Sequence, residues 1–216
     1  MARELGKAGK TLSRKLWRIV AVILSFGFVV WLLAKLFAPW LGALALPLAF
    51  LAVARFLQDK EVERTVVATT QGYLGEAQVG RFLAELPSTW RVFHDVDLGG
   101  ENADHVVVGP PGVFNVEVKN YTGTIRATPK GLWVRGERRD DLVRQAWRQA
   151  HKLRELLGVE VEPLLVFVSG KLEGRQVGRL PVLRPEEVAP YLKGLPPRLD
   201  FTQARRVAEV LERRVR

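Results

Sequence analysis

Two valine-rich runs around a Gly-Pro-Pro-Gly, "ADHVVVGPPGVFNVEVKN" at residues 103–120, constrain this chain more than any other stretch. Apolar runs of this length bounded by glycine and proline read as the two strands of a β-hairpin. With the turn centred on Pro110–Pro111, the numbers of opposed residues sum to 221. Gly109 then faces Gly112, Val108 faces Val113, and Asp104 faces Glu117. Pro-Pro is a poor type I′ turn, but a symmetric widening of the loop keeps the same pairing. Directly opposed side chains share a face of the sheet, with Cβ atoms about 4.5–5.5 Å apart. The two-residue period puts Val113, Asn115, Glu117 and Lys119 on that face, and Phe114, Val116 and Val118 on the other.

The hairpin therefore predicts two carboxylates and one ammonium on a single patch. Adjacent carboxylates repel, and burying them costs several kcal/mol unless something neutralises them. A divalent cation would do so. Mg²⁺ takes oxygen ligands and commonly uses one or two carboxylates, keeping several waters. Such an ion lowers the pKa of bound water and stabilises charge on a phosphoryl group, and Lys119 would point at the same water or phosphate. The residues alone leave a second reading equally open: an exposed face where Glu117 and Lys119 pair and Asp104 is solvated.

The remaining elements follow from periodicity. Leu74, Val79, Phe82, Leu83 and Leu86 recur at helical spacing before Pro87, with Glu76 near the start of that run. "WRVFHDVDL" (90–98) alternates as a strand, and "TIRATPKGLWVRG" (124–136) reads as a strand pair turning at Pro-Lys-Gly. "DDLVRQAWRQAHKLRELLG" (140–158) is a helix with two acids at its start and Gly158 as its C-cap. "EPLLVFVSG" (162–170) is a buried strand. A short strand near Leu180–Leu183 and a basic amphipathic helix from Phe201 complete the chain. The element order is α-β-β-β-(β)-α-β.

Composition narrows the chemistry. The 216 residues include no cysteine, which rules out disulfides, thiol nucleophiles and thiolate metal sites. The net charge is +10, but residues 1–18 alone contribute +5, with six Lys/Arg against one Glu. Residues 71–216 hold 23 basic and 19 acidic side chains, a mild excess that permits nucleic-acid binding without demanding it.

Residues 19–54 are uncharged except for Lys35. A membrane span takes about 17–25 residues, so this segment predicts a transmembrane helical hairpin with Trp17, Trp31 and Trp40 near headgroup level. Basic residues flank it on both sides, so both flanks are expected on the cytoplasmic side. The expected order is a basic cytoplasmic tail (1–18), the hairpin (19–54) and a juxtamembrane linker or helix (55–70). An α/β domain (71–170) and a C-terminal extension (171–216) follow. A cleaved signal peptide is the weaker reading, because its apolar core is only about 7–15 residues long.

"GYLGEAQVGRFLAEL", "ADHVVVGPPGVFNVEVKNYTGTI" and "LVRQAWRQAHKLRELLG" together resemble the nuclease-related domain (NERD) family, grouped with the PD-(D/E)XK nuclease-like superfamily. The resemblance covers about residues 70–170. It implies a restriction-endonuclease-like αβββαβ core with a central mixed sheet. It also implies Mg²⁺- or Mn²⁺-dependent hydrolysis of phosphodiester bonds, with DNA favoured over RNA as the partner. By the same resemblance Asp104 and Glu117 are metal-binding acids, with the carbonyl of Val118 as an extra ligand. Lys119 is the motif lysine, Glu76 the helix glutamate and Gln145 the glutamine of the later helix. Asn115 departs from the family pattern, which has an apolar residue there. With the anchor, the expectation is a protein of a bacterial-type inner membrane that touches both the lipid bilayer and nucleic acid.

Other candidates read as structural. His105 points to the face opposite Asp104 and is expected in the core, His151 at the surface. Arg138, Arg139, Arg144 and Arg148 are expected on solvated faces, Trp133 and Trp147 in the core. Two rival functions stay open: a non-catalytic nucleic-acid-binding module, and a membrane scaffold that binds protein.

Overall fold

A computed structural model describes residues 60–215, Arg3–Leu5 and a few isolated positions between 21 and 55, with side chains from Thr70 onward. Residues 10–71 form one compact unit, and residues 1–9 with 72–216 form another. Most of the segment expected to form the transmembrane hairpin lies outside the described residues, as does most of the basic tail. No helix among the described residues is long and apolar enough to cross a membrane.

The first helix, α1 (Lys60–Leu83), leads into β2 (Arg91–Asp97), β3 (Asn102–Gly109) and β4 (Gly112–Lys119). Three short strands follow, β5 (Thr124–Thr128), β6 (Gly131–Val134) and β7 (Glu137–Arg138). Helix α2 (Asp140–Leu157) and strand β8 (Val161–Phe167) complete the core. The extension adds β9 (Lys171–Glu173), β10 (Gln176–Val177), β11 (Leu180–Leu183), α3 (Pro185–Gly194) and α4 (Phe201–Glu212). Helix α2 ends where the sequence predicts, with Gly158 at φ 67° and its N–H on the Arg154 carbonyl.

With β1 at Arg3–Leu5, the main sheet has the order β1-β2-β3-β4-β8-β11-β10, and the hairpin sits at its centre. Its register is the expected one, running from Gly109↔Gly112 through Val108↔Val113 to His105↔Val116. On the other side β4 runs parallel to β8, with Val113↔Val161 and Lys119↔Phe167 at the ends of the ladder. Strand β8 is flanked on both sides and covered on both faces, which is why its sequence is almost continuously apolar. One face packs Phe114, Val116 and Leu164 under α1 and α3, and the other packs Val106, Val113 and Val161 under α2 and α4.

Two features differ from the sequence reading. Part of the expected tail, Arg3–Leu5, is strand β1, paired in parallel with Arg91–Phe93 at the sheet edge. The 124–136 strand pair does not extend the main sheet. It joins β7 and β9 in a separate sheet of order β7-β6-β5-β9, seated by Ile125 and Leu132 on α2 and β8.

Candidate functional site

The site lies where β3 parts from both of its neighbours. The β3–β4 ladder stops at His105↔Val116, one residue short of the expected Asp104–Glu117 pair. The β2–β3 ladder skips the Asp95–Asp104 pair and resumes at Val96↔Ala103. Asp95 takes a left-handed conformation there, φ 56°, which aspartate tolerates better than most residues. Asp104 is thus unpaired in both ladders. Its Oδ2 accepts the Val118 N–H at 2.7 Å, replacing a main-chain partner with a carboxylate.

Glu117 is almost wholly buried, 1% exposed, on the face covered by α2. Its Oε1 accepts from Lys119 Nζ at 2.5 Å and from Gln145 Nε2 at 2.7 Å. Its Oε2 is buried with no hydrogen-bond partner. Along a strand, the N–H and C=O of one residue point to the same side. The Val118 carbonyl therefore faces the Asp104 side, while the Lys119 carbonyl turns to the far side to accept the Val168 N–H at 3.0 Å.

Helix α1 brings Glu76 in from the opposite face. Gly75 makes that approach possible: a Cβ there would lie 3.2 Å from Val168 Cγ2 and 3.6 Å from Val118 Cγ1. Glu76 is close enough for its charge to act on Asp104. Burial raises the Asp104 carboxyl well above its usual range, and Glu117 and then Glu76 push it further, against opposition from Lys119 and the Val118 N–H. Burial pulls the Lys119 amine down, but Glu117 and Asp104 outweigh it and leave it above its usual value. Lys119 is therefore an ammonium and a donor.

Of the residues named from sequence, Asp104, Glu117, Val118, Lys119 and Gln145 are joined by direct hydrogen bonds or adjacent backbone, and Glu76 acts through its charge. Among the described residues no three His, Asp or Glu side chains form a ready metal cluster. An all-oxygen set of two carboxylates and a carbonyl still suits Mg²⁺ or Mn²⁺, which keep waters. The orphaned Oε2 of Glu117 is the buried acceptor such a cation would satisfy.

Three further side chains border the site, of which sequence reasoning placed only Asn115 on this face. Asn115 is fully buried and donates to Gln149 Oε1 at 3.0 Å, while Gln149 donates to the Asn102 carbonyl at 3.2 Å. The departure from the family pattern at Asn115 is thus a buried polar link between β4 and α2. A single Gln149→Leu substitution is expected to cost about 1–3 kcal/mol, because Asn115 loses its partner. Asn115→Val with Gln149→Leu should recover most of that loss in urea unfolding. The third neighbour is Tyr121, which accepts from Arg139 Nη2 at 3.0 Å and acts electrostatically on Lys119.

His105 lies in the core as expected, with its Nδ1 2.7 Å from that of His94. Arg138, Arg144 and Arg148 are exposed as expected and Arg139 is half-buried; Arg138, Arg139 and Arg148 pair with Asp140, Asp141 and Glu101 at the surface. The core reading of the tryptophans is corrected. Trp147 is 40% exposed on α2, and Trp133 is half-buried on the open face of the small sheet.

Glu101 bridges Arg148 at 2.9 Å and Lys152 at 2.8 Å. The Arg148 hydrogen bond lowers its carboxyl to about 2 from 4.5, partly opposed by burial and aided by Lys152. A depressed folded value means the stabilisation is complete above 4.5 and is lost as pH falls through that window toward 2. The group lies near the surface, so Glu101→Gln should cost only about 0.2–1 kcal/mol at pH 7. Its effect should fade in melts taken at progressively lower pH.

This fold and site define an α/β domain with a mixed sheet, carrying an acid–acid–lysine cluster where two strands separate. The nuclease-related domain (NERD) family model matches residues 71–168. An uncharacterized protein of Bacillus anthracis is 34% identical over 91 residues, 39% of this chain and 43% of the relative, so the match spans less than half the relative's length. The solved structure of Pyrococcus furiosus SfsA in complex with Ca²⁺ aligns over 66% of this chain and 53% of its own, at 13% identity and a TM-score of 0.25.

Proposed function

We propose that this chain is a Mg²⁺-dependent nuclease that hydrolyses phosphodiester bonds in DNA, or in RNA, at the Asp104–Glu117–Lys119 cluster. The observation that carries this reading is the buried, unpartnered Oε2 of Glu117 beside a carboxyl as destabilised as that of Asp104. Asp104, Glu117 and the Val118 carbonyl would hold the cation. When bound, it would supply charge stabilisation at the phosphoryl group and a water of lowered pKa. Lys119 donates to Glu117 and projects toward the same space, so it would orient water or steady charge on the phosphate. Gln145 holds Glu117 in place through Oε1, and Glu76 adds negative charge on the cation side.

The uncharged runs of residues 19–54 support a second element of the proposal: a two-helix anchor in a bacterial-type inner membrane, with the nuclease domain on the cytoplasmic face. The test of function is cleavage of plasmid and single-stranded DNA by the full-length chain with Mg²⁺ or Mn²⁺. Lys119→Ala and Glu117→Gln should each lower the rate about 10²–10³-fold. Equal rates in the wild type and both variants would mark a contaminating nuclease and overturn the reading. Binding without cleavage would turn it into the non-catalytic module.

A further inference from the structure

The four-stranded sheet buries one face and leaves the other open. Its cross-strand pairs place four residues in one row on that open face. Arg138 is opposite Trp133, Trp133 is opposite Arg126, and Arg126 is opposite Glu173. The Arg138 guanidinium lies over the Trp133 ring, 5.7 Å from its centroid. Together with Thr124, Thr128 and Gly136, Arg126, Trp133 and Glu173 line an open groove of about 630 Å³.

The charge is concentrated here as well. Residues 122–139 hold five basic side chains and one acid, +4, which equals the whole excess of residues 71–216 (23 minus 19). Asp140 and Asp141, which pair with Arg138 and Arg139, still leave +2. Glu173 is shared between Arg126 at 3.4 Å and Lys171 at 3.0 Å, an exposed arrangement that polyanion phosphates readily displace. Lys130 and Arg135 are exposed at the rim.

We propose that this open face is a second nucleic-acid contact of the enzyme, taking single-stranded substrate. One base stacks on Trp133 and the Arg138 plane while Arg126 meets the flanking phosphates. The inference rests on the nuclease reading above and extends it to the substrate class. Stacking on an aromatic or guanidinium plane needs an unpaired base, because only a splayed base offers its face. A basic groove with one aromatic is the usual composition of such platforms. The placement suits the reaction too. Thr124 is only five positions beyond Lys119, so the groove begins within about 18 Å of the cluster along the chain.

The test is fluorescence anisotropy of a labelled oligo(dT) titrated with the full-length chain in EDTA, where no cleavage occurs. Trp133→Ala should weaken binding about tenfold, within the range for loss of one stacked base, and Trp133→Phe should restore most of it. Arg126→Ala should flatten the slope of log affinity against log salt by about 0.7, a change that loss of packing alone would not produce. A duplex of the same length should respond little to Trp133→Ala. Unchanged oligo(dT) affinity in both Trp133→Ala and Arg126→Ala would overturn the proposal and leave the face to a protein partner. Cleavage by the wild type would then still stand on its own assay. Equal losses in Trp133→Ala and Trp133→Phe would also overturn it.

Discussion

Asp104→Asn is expected to melt higher than the wild type in EDTA and to hydrolyse no substrate. The reasoning starts from the sign of the Asp104 perturbation. Burial, Glu117 and Glu76 disfavour its charge, and Lys119 and the Val118 N–H favour it, with the disfavouring terms winning. An ionised Asp104 therefore destabilises the metal-free fold at neutral pH. Asparagine removes the charge and keeps an oxygen for the Val118 N–H, now 2.7 Å from Oδ2. A gain of about 0.5–2 kcal/mol is the usual size when a strained functional group is neutralised, or roughly 2–4 °C per kcal/mol for a domain of this size.

Metal reverses the order. A ligand that binds only the folded state stabilises it by about 2.7 kcal/mol at a hundredfold excess over Kd. Titrating Mg²⁺ or Mn²⁺ should raise the wild-type melting temperature past that of Asp104→Asn, which should barely respond. This readout needs no substrate and no turnover. If Asp104→Asn melts below the wild type in EDTA and both shift equally with metal, Asp104 is a structural acceptor and the cation site is wrong.

Gly109→Ala is expected to lose much stability through a single methyl. Gly109 closes the hairpin ladder against Gly112, and it is absent from the set of glycines with positive φ, so its backbone does not require glycine. Space does. A Cβ at 109 would fall 2.1 Å from Trp90 Cε3, inside the indole. Trp90 is 3% exposed and packs in the cluster with Val92, Val107 and Leu192, so it has nowhere to move. Overpacking of this kind costs about 1–3 kcal/mol or more, and the upper end is expected because the obstacle is a rigid ring. Urea unfolding should show a lower midpoint with an unchanged slope. In a Trp90→Leu background the same substitution should cost far less, a coupling expected only between touching residues. A loss below about 0.5 kcal/mol in the wild-type background would show that Trp90 has another place to go.

Much of this was legible locally. The hairpin register followed from the turn and the period of two, and the sum of 221 holds for each pair from Gly109↔Gly112 to His105↔Val116. Helix α2 carried its own boundaries in Asp140, Asp141 and Gly158. Asp104, Glu117 and Lys119 were named from the hairpin pairing and Gln145 from the family resemblance, and the structure joins all but Asp104 directly at Glu117 Oε1, with Asp104 meeting Val118 next to it. Other features were not legible. Gln149 meets Asn115 across 34 positions of sequence. Trp133 reads as core in a strand pattern, yet the small sheet turns that face outward. Arg3–Leu5 reads as tail and is a strand at the sheet edge.

The division has a physical reason. Strand alternation, turn residues and helix caps act between near neighbours, so the sequence alone determined the core elements, the hairpin register and which acids share a face. Only the tertiary structure decided that β3 leaves both ladders at Asp104, that one oxygen of Glu117 is left without a partner, and that the second sheet stands apart. Those outcomes depend on which distant surfaces compete to bury the same face, and nothing local in the chain encodes that competition.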